Sequence, residues 1–325
     1  MGNILVTDGM AKEAVKMLID NGHNVVEKYC SPEELKSGIL LNYDAIVVRS
    51  ATKLIKEVII SSKNENSGIG FIGRAGVGVD NIDISTASNM GIIVCNTPQS
   101  STHSVVELTI GHLLSSVRHI PKGDRSLRNG NWAKKELRGT ELAGKNLGLI
   151  GFGRIAQGVG KIANILGMNL HCYDPYLPKD IAKNNNCKLH NNVDDVFKNC
   201  THISIHCNLS DDTYHLVNDE RIKLMPDIGD DGVKCGRHII NCARGGIVDE
   251  EEVLNSLNNN ILSSAAMDVF EIEPPVNNDL INHENFHGTP HIGAATIEAQ
   301  ARIGEEMATL LIDYFKGKKP HSQLN

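Results

Sequence analysis

Short apolar runs rich in β-branched residues alternate with amphipathic helical stretches along the whole of this chain. That alternation constrains the fold more than any other feature. Strand candidates fall at 4–6, 45–49, 70–72 and 92–95, then in a second series at 146–150, 169–173, 202–207, 238–242 and 264–269. Helical patterns lie between them at 11–21, 105–119, 154–166, 218–224, 250–257 and 295–315. Strands separated by helices predict parallel sheets with helices on both faces. Two successive series predict two such sheets, so an α/β protein of two doubly wound domains is expected. A length of 325 residues agrees with two domains. Only six Phe, six Tyr and one Trp are present, so the core has to be aliphatic, as buried parallel sheets are.

Two punctuation points divide the chain. Asn96-Thr97-Pro98 ends the first series just before a helix starting near Thr102, and Thr289-Pro290-His291 ends the second before a final helix. If that helix returns to the first domain, the second is an insertion. The expected boundaries are then 1–98 plus 292–325 for one domain and 99–291 for the other. Asn clusters at 184–186, 191–192 and 258–260 predict surface turns. The stretch 225–232 contains Pro226, which should stop the preceding helix, and Gly and Asp residues that read as a loop.

Composition excludes several function classes. The formal net charge is −7, so no basic surplus exists to coat a nucleic acid. Apolar runs such as 45–48 are far too short to span a bilayer. The N-terminus shows no secretory signal, and Val6 stands where a myristoylation signal needs Ser or Thr. The eight Cys residues form no CxxC pair, which predicts reduced thiols and a cytoplasmic chain. His283, His287 and His291 are spaced four apart, but Gly288 and Pro290 break the helix that such metal ligands require, so no metal is expected.

The predicted strand 146–150 runs directly into Gly151-Phe152-Gly153-Arg154-Ile155-Ala156, where a helical pattern begins. This is G-x-G-x-x-A in a strand–turn–helix context. Gly151 allows the tight turn, Gly153 lets the backbone approach a pyrophosphate at the helix N-terminus, and Ala156 allows close helix–strand packing. Asp174 ends the next strand, 23 residues beyond Gly151. A carboxylate there accepts hydrogen bonds from ribose hydroxyls and repels a 2′-phosphate, which favours NAD over NADP.

Polar residues also cluster at three later strand ends, where an open α/β sheet places its ligands. They are Asn241-Cys242-Ala243-Arg244-Gly245-Gly246, the stretch 268–275 with Asp268, Glu271 and Glu273, and Thr289-Pro290-His291-Ile292-Gly293-Ala294. With GRAGVGVDNID at 73–83, NTP at 96–98 and the dinucleotide motif, these segments make nearly the whole chain resemble the D-isomer-specific 2-hydroxyacid dehydrogenases. The resemblance implies two Rossmann-like/flavodoxin-like domains with a cleft between them that closes over cofactor and acid. It implies a catalytic set of Arg244, Glu273 and His291. An arginine offers a bidentate fork to an α-carboxylate and polarises the C2 oxygen. A histidine exchanges a proton with the C2 hydroxyl near neutral pH, and a carboxylate beside it orients the ring and stabilises its protonated form.

The same resemblance implies further contacts. For NAD these are the amides of Arg154 and Ile155 on the pyrophosphate, Cys207 beside the adenine-side ribose, and Cys242, Ala243, Arg244, Asp268, His291, Gly293 and Ala294 at the nicotinamide end, with Val77 as a backbone contact. For the substrate, Ala75, Gly76, Val77 and Gly78 would grip the carboxylate through backbone amides, with Arg244 and His291 at the reacting carbon. Arg49, Arg74 and Lys134 would suit the extra charge of a phosphorylated acid. The implied reaction is NAD-dependent oxidation of 3-phospho-D-glycerate to 3-phosphohydroxypyruvate, the entry to serine synthesis, in a homodimer built on the region after Thr102. A glyoxylate or hydroxypyruvate reductase of the same family is one alternative. A non-enzymatic NAD-sensing scaffold like the C-terminal-binding-protein corepressors is another. Many relatives carry C-terminal serine-binding domains. None is expected in a chain running to Asn325, so feedback by serine through that route is not expected either.

Overall fold

The alternation is realised as two all-parallel sheets in a computed structural model that describes residues 1–275 and 279–325. The chain divides into two units, Met1–Ser101 with Ala294–Asn325, and Thr102–Gly293.

The first unit contains β1 (Asn3–Val6), β2 (Asn24–Glu27), β3 (Ala45–Val48), β4 (Phe71–Arg74) and β5 (Ile93–Asn96), in the spatial order β2-β1-β3-β4-β5. Successive side chains on a strand point to opposite faces, and here both faces are buried. Ile4, Val6, Ala45 and Val47 pack under the helices Lys12–Asp20 and Ile297–Phe315, with Leu18, Ile303, Met307 and Leu310. Leu5, Ile46 and Val48 pack on the opposite face with Leu40, Val58 and Ile59. The helix Ile297–Phe315 is capped by Thr296, whose hydroxyl accepts from the Ala299 amide at 3.1 Å. Its apolar side completes this unit's core.

The second unit contains β6 (Asn146–Ile150), β7 (Asn169–Tyr173), β8 (Cys187–Leu189), β9 (His202–Ile205), β10 (His238–Asn241), β11 (Ser264–Met267) and β12 (Phe286–Gly288). Their order is β12-β11-β10-β9-β6-β7-β8. The chain moves outward from β6 through β7 and β8, then returns to the other side of β6 as β9. An open sheet binds its ligand at such a reversal, outside the carboxyl ends of the strands.

Several expected boundaries move. The strands expected to reach 49, 207 and 269 stop at Val48, Ile205 and Met267. The helix expected over 105–119 spans Thr102–Arg118, and a second helix, Ile120–Arg128, follows His119, whose φ is 53°. The helix Asp219–Leu224 ends just before Pro226. The loop beyond it folds back through an antiparallel bridge between Ile228 and Lys234, and Asp231 pairs with the buried Lys145 at 2.6 Å. In the Asn clusters, Asn186 and Asn260 adopt left-handed turns with φ of 50° and 56°.

Candidate active site

The glycine turn lies at the sheet reversal. Gly151 has φ +81°, and its amide donates to the Tyr173 carbonyl at 2.8 Å. A Cβ there would stand 2.8 Å from the Cys207 nitrogen, so only glycine lets this turn pass the loop after β9. Asp174, just past β7, fixes the turn from the other side. One carboxylate oxygen accepts from the Phe152 amide at 2.9 Å and the other from the Tyr176 amide at 3.0 Å. Gly153 is the N-cap of the helix Arg154–Ile165 and makes no side-chain cap bond. A Cβ on Gly153 would meet nothing within 4 Å. The start of this helix thus has no capping side chain and has open space beside Gly153, as an anion site requires. An uncapped helix start, fully buried Ala156 behind it and a carboxylate beside the turn fit a dinucleotide.

The predicted catalytic residues converge in the same unit. His291 Nδ1 lies 2.8 Å from Glu273 Oε2, and the Phe270 amide donates to the other carboxylate oxygen at 3.1 Å. Burial alone would raise the Glu273 pKa. The His291 hydrogen bond and charge, the Phe270 amide and Arg244 outweigh it and hold the carboxyl below its ordinary value. Glu273 is thus a carboxylate at neutral pH, and Nε2 of His291 is left for proton exchange.

His291 is itself in the left-handed region, with φ 52°. Its amide donates to the carbonyls of Asp268 and Thr289 at 2.8 and 3.0 Å. The carboxylate of Asp268, 1% exposed, accepts from the Thr289 hydroxyl at 2.6 Å and from the Ile292 and Gly293 amides at 2.8 Å each. The structure thus places Asp268 beneath the turn that carries His291. His112 Nε2 lies 3.1 Å from the Thr289 hydroxyl. Because that hydroxyl donates to Asp268, the ring donates to it, and burial lowers the His112 pKa and keeps the ring neutral. Arg244 follows β10. Asn241 clamps its turn by donating to the Arg244 carbonyl at 2.9 Å and accepting from the Ala243 amide at 3.0 Å. Arg244 Nη1 donates to the Ala243 carbonyl at 2.6 Å. Burial pushes the Cys242 thiol up to about 12 and the Cys207 thiol up to about 11, so neither serves as a nucleophile.

The first unit holds the other group of predicted residues. Arg74 closes β4, and its Nη1 donates to the Ala75 carbonyl at 3.3 Å. The loop with Gly76, Val77 and Gly78 is fixed by the Thr97 amide on the Gly76 carbonyl (3.0 Å) and the Asn96 side chain on the Val77 carbonyl (2.6 Å). Arg49 is held through its backbone, with its amide on Asp8 at 2.6 Å and its carbonyl accepting from Asn81 at 2.7 Å. Ala294 begins the return segment of this unit. Lys134 is exposed in the second unit, and among the described residues no hydrogen bond or ion pair ties it to Arg244 or His291. Sequence reasoning missed Asn241, His112 and Thr289 as supports. Asn241 and Thr289 stood inside motifs already quoted, whereas His112 carries no sequence signal.

Residues 110–293 match the family model described as the D-isomer specific 2-hydroxyacid dehydrogenase, NAD binding domain. The chain is 41% identical over 325 residues to a D-3-phosphoglycerate dehydrogenase of Methanocaldococcus jannaschii, covering 100% of this chain and 60% of that protein. It therefore spans about three-fifths of that relative's length. It is also 41% identical over 307 residues to a hydroxypyruvate reductase of Thermotoga maritima, covering 93% of this chain and 94% of that protein. Among solved structures, a D-lactate dehydrogenase from Aquifex aeolicus complexed with NAD and lactic acid superposes with a TM-score of 0.83 at 27% identity, covering 97% and 96% of the two chains.

Proposed function

Because the chain belongs to the D-isomer specific 2-hydroxyacid dehydrogenase family, we propose that it oxidises 3-phospho-D-glycerate to 3-phosphohydroxypyruvate with NAD, at the head of serine synthesis. The observation that carries this reading is the His291–Glu273 pair at 2.8 Å, with Arg244 close enough to lower the carboxyl pKa. Arg244 holds the C1 carboxylate and the C2 oxygen. His291 Nε2 takes the proton of the C2 hydroxyl, and Glu273 stabilises the imidazolium that forms. Bound NAD supplies the acceptor for the hydride that leaves C2. The amides of Arg154 and Ile155 would hold its pyrophosphate, and Asp174 its ribose. Cys207 would lie along the adenine-side ribose. Cys242, Ala243, Asp268, Gly293, Ala294 and Val77 are assigned to its nicotinamide half.

The amides of the 75–78 loop are assigned to the substrate carboxylate. Arg49 and Arg74 are assigned to the phosphate, with Lys134 as an added cation. Support for the phosphorylated acid comes from these arginines and from the Methanocaldococcus relative. The Thermotoga relative, matched over almost its full length, favours hydroxypyruvate reduction as the second reading. The two readings would use the same Arg244, Glu273 and His291 and differ in whether Arg49, Arg74 and Lys134 meet a phosphate. An NAD-sensing scaffold is the remaining alternative, and it requires no turnover of any acid.

A homodimer is proposed as well, because Ile120, Leu127 and Trp132 project from the region after Thr102 with 57%, 59% and 81% of their surface exposed. A cytoplasmic location rests on the scattered, unpaired cysteines. Among the described residues no helix is long and apolar enough to cross a membrane.

NADH oxidation with 3-phosphohydroxypyruvate, hydroxypyruvate, glyoxylate and 2-oxoglutarate tests the reading. A preference for the phosphorylated acid is expected. A preference for hydroxypyruvate or glyoxylate would transfer the conclusion to the second reading and remove Arg49 and Arg74 from substrate recognition. NADH binding without turnover of any of the four would bring the scaffold forward.

A further inference from the structure

The chemistry proposed above depends on keeping two separate backbone segments together, the turn 244–246 that carries Arg244 and the loop 268–275 that carries Glu273. They touch directly. A Cβ on Gly245 would lie 1.8 Å from the Phe270 carbonyl oxygen, so the two backbones are in closest possible contact there. Backbone contact alone does not set the angle between them.

His215 spans the joint. It lies in the left-handed region, with φ 49°, a conformation that a non-glycine residue keeps only where its surroundings impose it. Its amide donates to the Gly246 carbonyl at 2.8 Å, which ties it to the arginine turn. Its ring reaches two carboxylates, Nδ1 to Asp249 at 3.0 Å and Nε2 to Glu271 at 2.9 Å. Tyr214 stacks on the ring at 3.9 Å between centroids and 14° between planes. Asp249 is fixed in turn, because its other oxygen caps the helix Glu250–Asn258 by accepting from the Glu252 amide at 3.0 Å. Glu271 is fixed by its own amide, which donates to Glu250 at 2.7 Å. Glu271 stands two residues before Glu273 on the same loop.

We propose that His215 is a positioning residue for the reaction. By bridging Asp249 and Glu271 it locks the loop carrying Glu273 onto the turn carrying Arg244, and so sets the Glu273–His291 pair relative to the arginine. The proposal rests on the catalytic reading of Arg244, Glu273 and His291. A partly exposed ion pair adds little to stability, so a merely structural bridge would leave turnover unchanged. A misplacement of about 1 Å at reacting groups costs up to about 10²-fold in rate.

The test uses His215→Gln, Glu271→Gln and the double variant in the full chain. Two readouts apply, steady-state kinetics with the preferred acid of the panel and hydrogen exchange of the Phe270 and Glu271 amides. The Phe270 amide is bonded within the locked loop, to Glu273, and the Glu271 amide is bonded across the joint, to Glu250 at the start of the helix Glu250–Asn258. Each single variant should lower kcat by roughly 10- to 100-fold, with KM for NADH within about twofold of wild type, because the glycine turn is untouched. The double variant should be no slower than the slower single one, since one bridge is lost in each. Both amides should exchange at least about tenfold faster. Wild-type exchange in both variants overturns the proposal whether or not the protein turns over any acid. An unchanged kcat in an active protein overturns it too. Absence of turnover in the wild type, together with faster exchange in the variants, would sink the catalytic reading and leave the lock standing. If His215→Gln does not fold, Glu271→Gln carries the same outcomes alone.

Discussion

At His291 every neighbouring residue removes one degree of freedom. Glu273 fixes the ring through Nδ1, and the Phe270 amide fixes Glu273. Glu273→Gln keeps the size but removes the charge that stabilises the imidazolium. It should lower kcat by about 10²-fold, the lower end of what acid–base groups contribute, with NADH affinity unchanged; a kcat near wild type would remove Glu273 from the mechanism. Asp268 fixes the backbone rather than the ring. Asp268→Asn turns an –NH₂ toward at least one of three donors, from Thr289, Ile292 and Gly293, and leaves it unmatched in a buried site. The expected loss is about 1–3 kcal/mol of stability, read from chemical denaturation, together with reduced turnover. Unaltered stability would show that the turn holds His291 without this carboxylate.

The start of the helix Arg154–Ile165 separates two glycines with different reasons for being glycine. Gly151→Ala puts a Cβ against the Cys207 backbone at positive φ and should destabilise the fold by about 1–3 kcal/mol. Gly153→Ala points its methyl into open space. It should change stability by less than about 1 kcal/mol while weakening NADH binding, as fluorescence titration would show; equal NADH affinity would mean that no phosphate approaches Gly153. Interior strands were legible in the sequence because they are apolar on both faces, as in Ala45-Ile46-Val47-Val48, where all four residues are buried. The strands that escaped, β2, β8 and β12, all lie at sheet edges. There exposed Asn24, Glu27 and Lys188 break the apolar run that marks a strand. The site divides in the same way. Arg244, Glu273 and His291 follow strands in segments punctuated by Gly and Pro, which marked them as candidates, and the family resemblance supplied their roles. His112 and His215 act across long separations, His215 on residues 34 and 56 positions away, and no local pattern announces such a partner.

Across the molecule, lowered histidines are concentrated in the second unit. Burial, with the neighbouring His190 and Lys188, brings His171 to about 4, and burial brings His238 to about 4. Burial also depresses His202, which stacks on His238 at 4.6 Å. In the first unit His23 is the described histidine lowered in this way. A histidine whose folded pKa lies below its unfolded value leaves the unfolded state binding more protons. Stability is then intact above about pH 6.5 and falls as pH drops toward 4, by up to about 1.4 kcal/mol per pH unit for each group. Melting of the second unit should be constant near neutrality and fall steeply below pH 6.5, ahead of the first. A melting temperature flat from pH 7 to 5 would show that these rings are protonated in place. The interruption of the first unit by the second has a different consequence, one of timing during synthesis. The sheet of β1–β5 is translated early, yet Ile303, Met307 and Leu310, which cover one of its faces, belong to the helix Ile297–Phe315. Roughly 200 residues separate the two, about 10–40 s at ordinary elongation rates. The second unit can fold on the ribosome before the first is complete, while the face that carries Ile4, Val6 and Val47 is covered only by the helix Lys12–Asp20 and its remainder stays available to a chaperone.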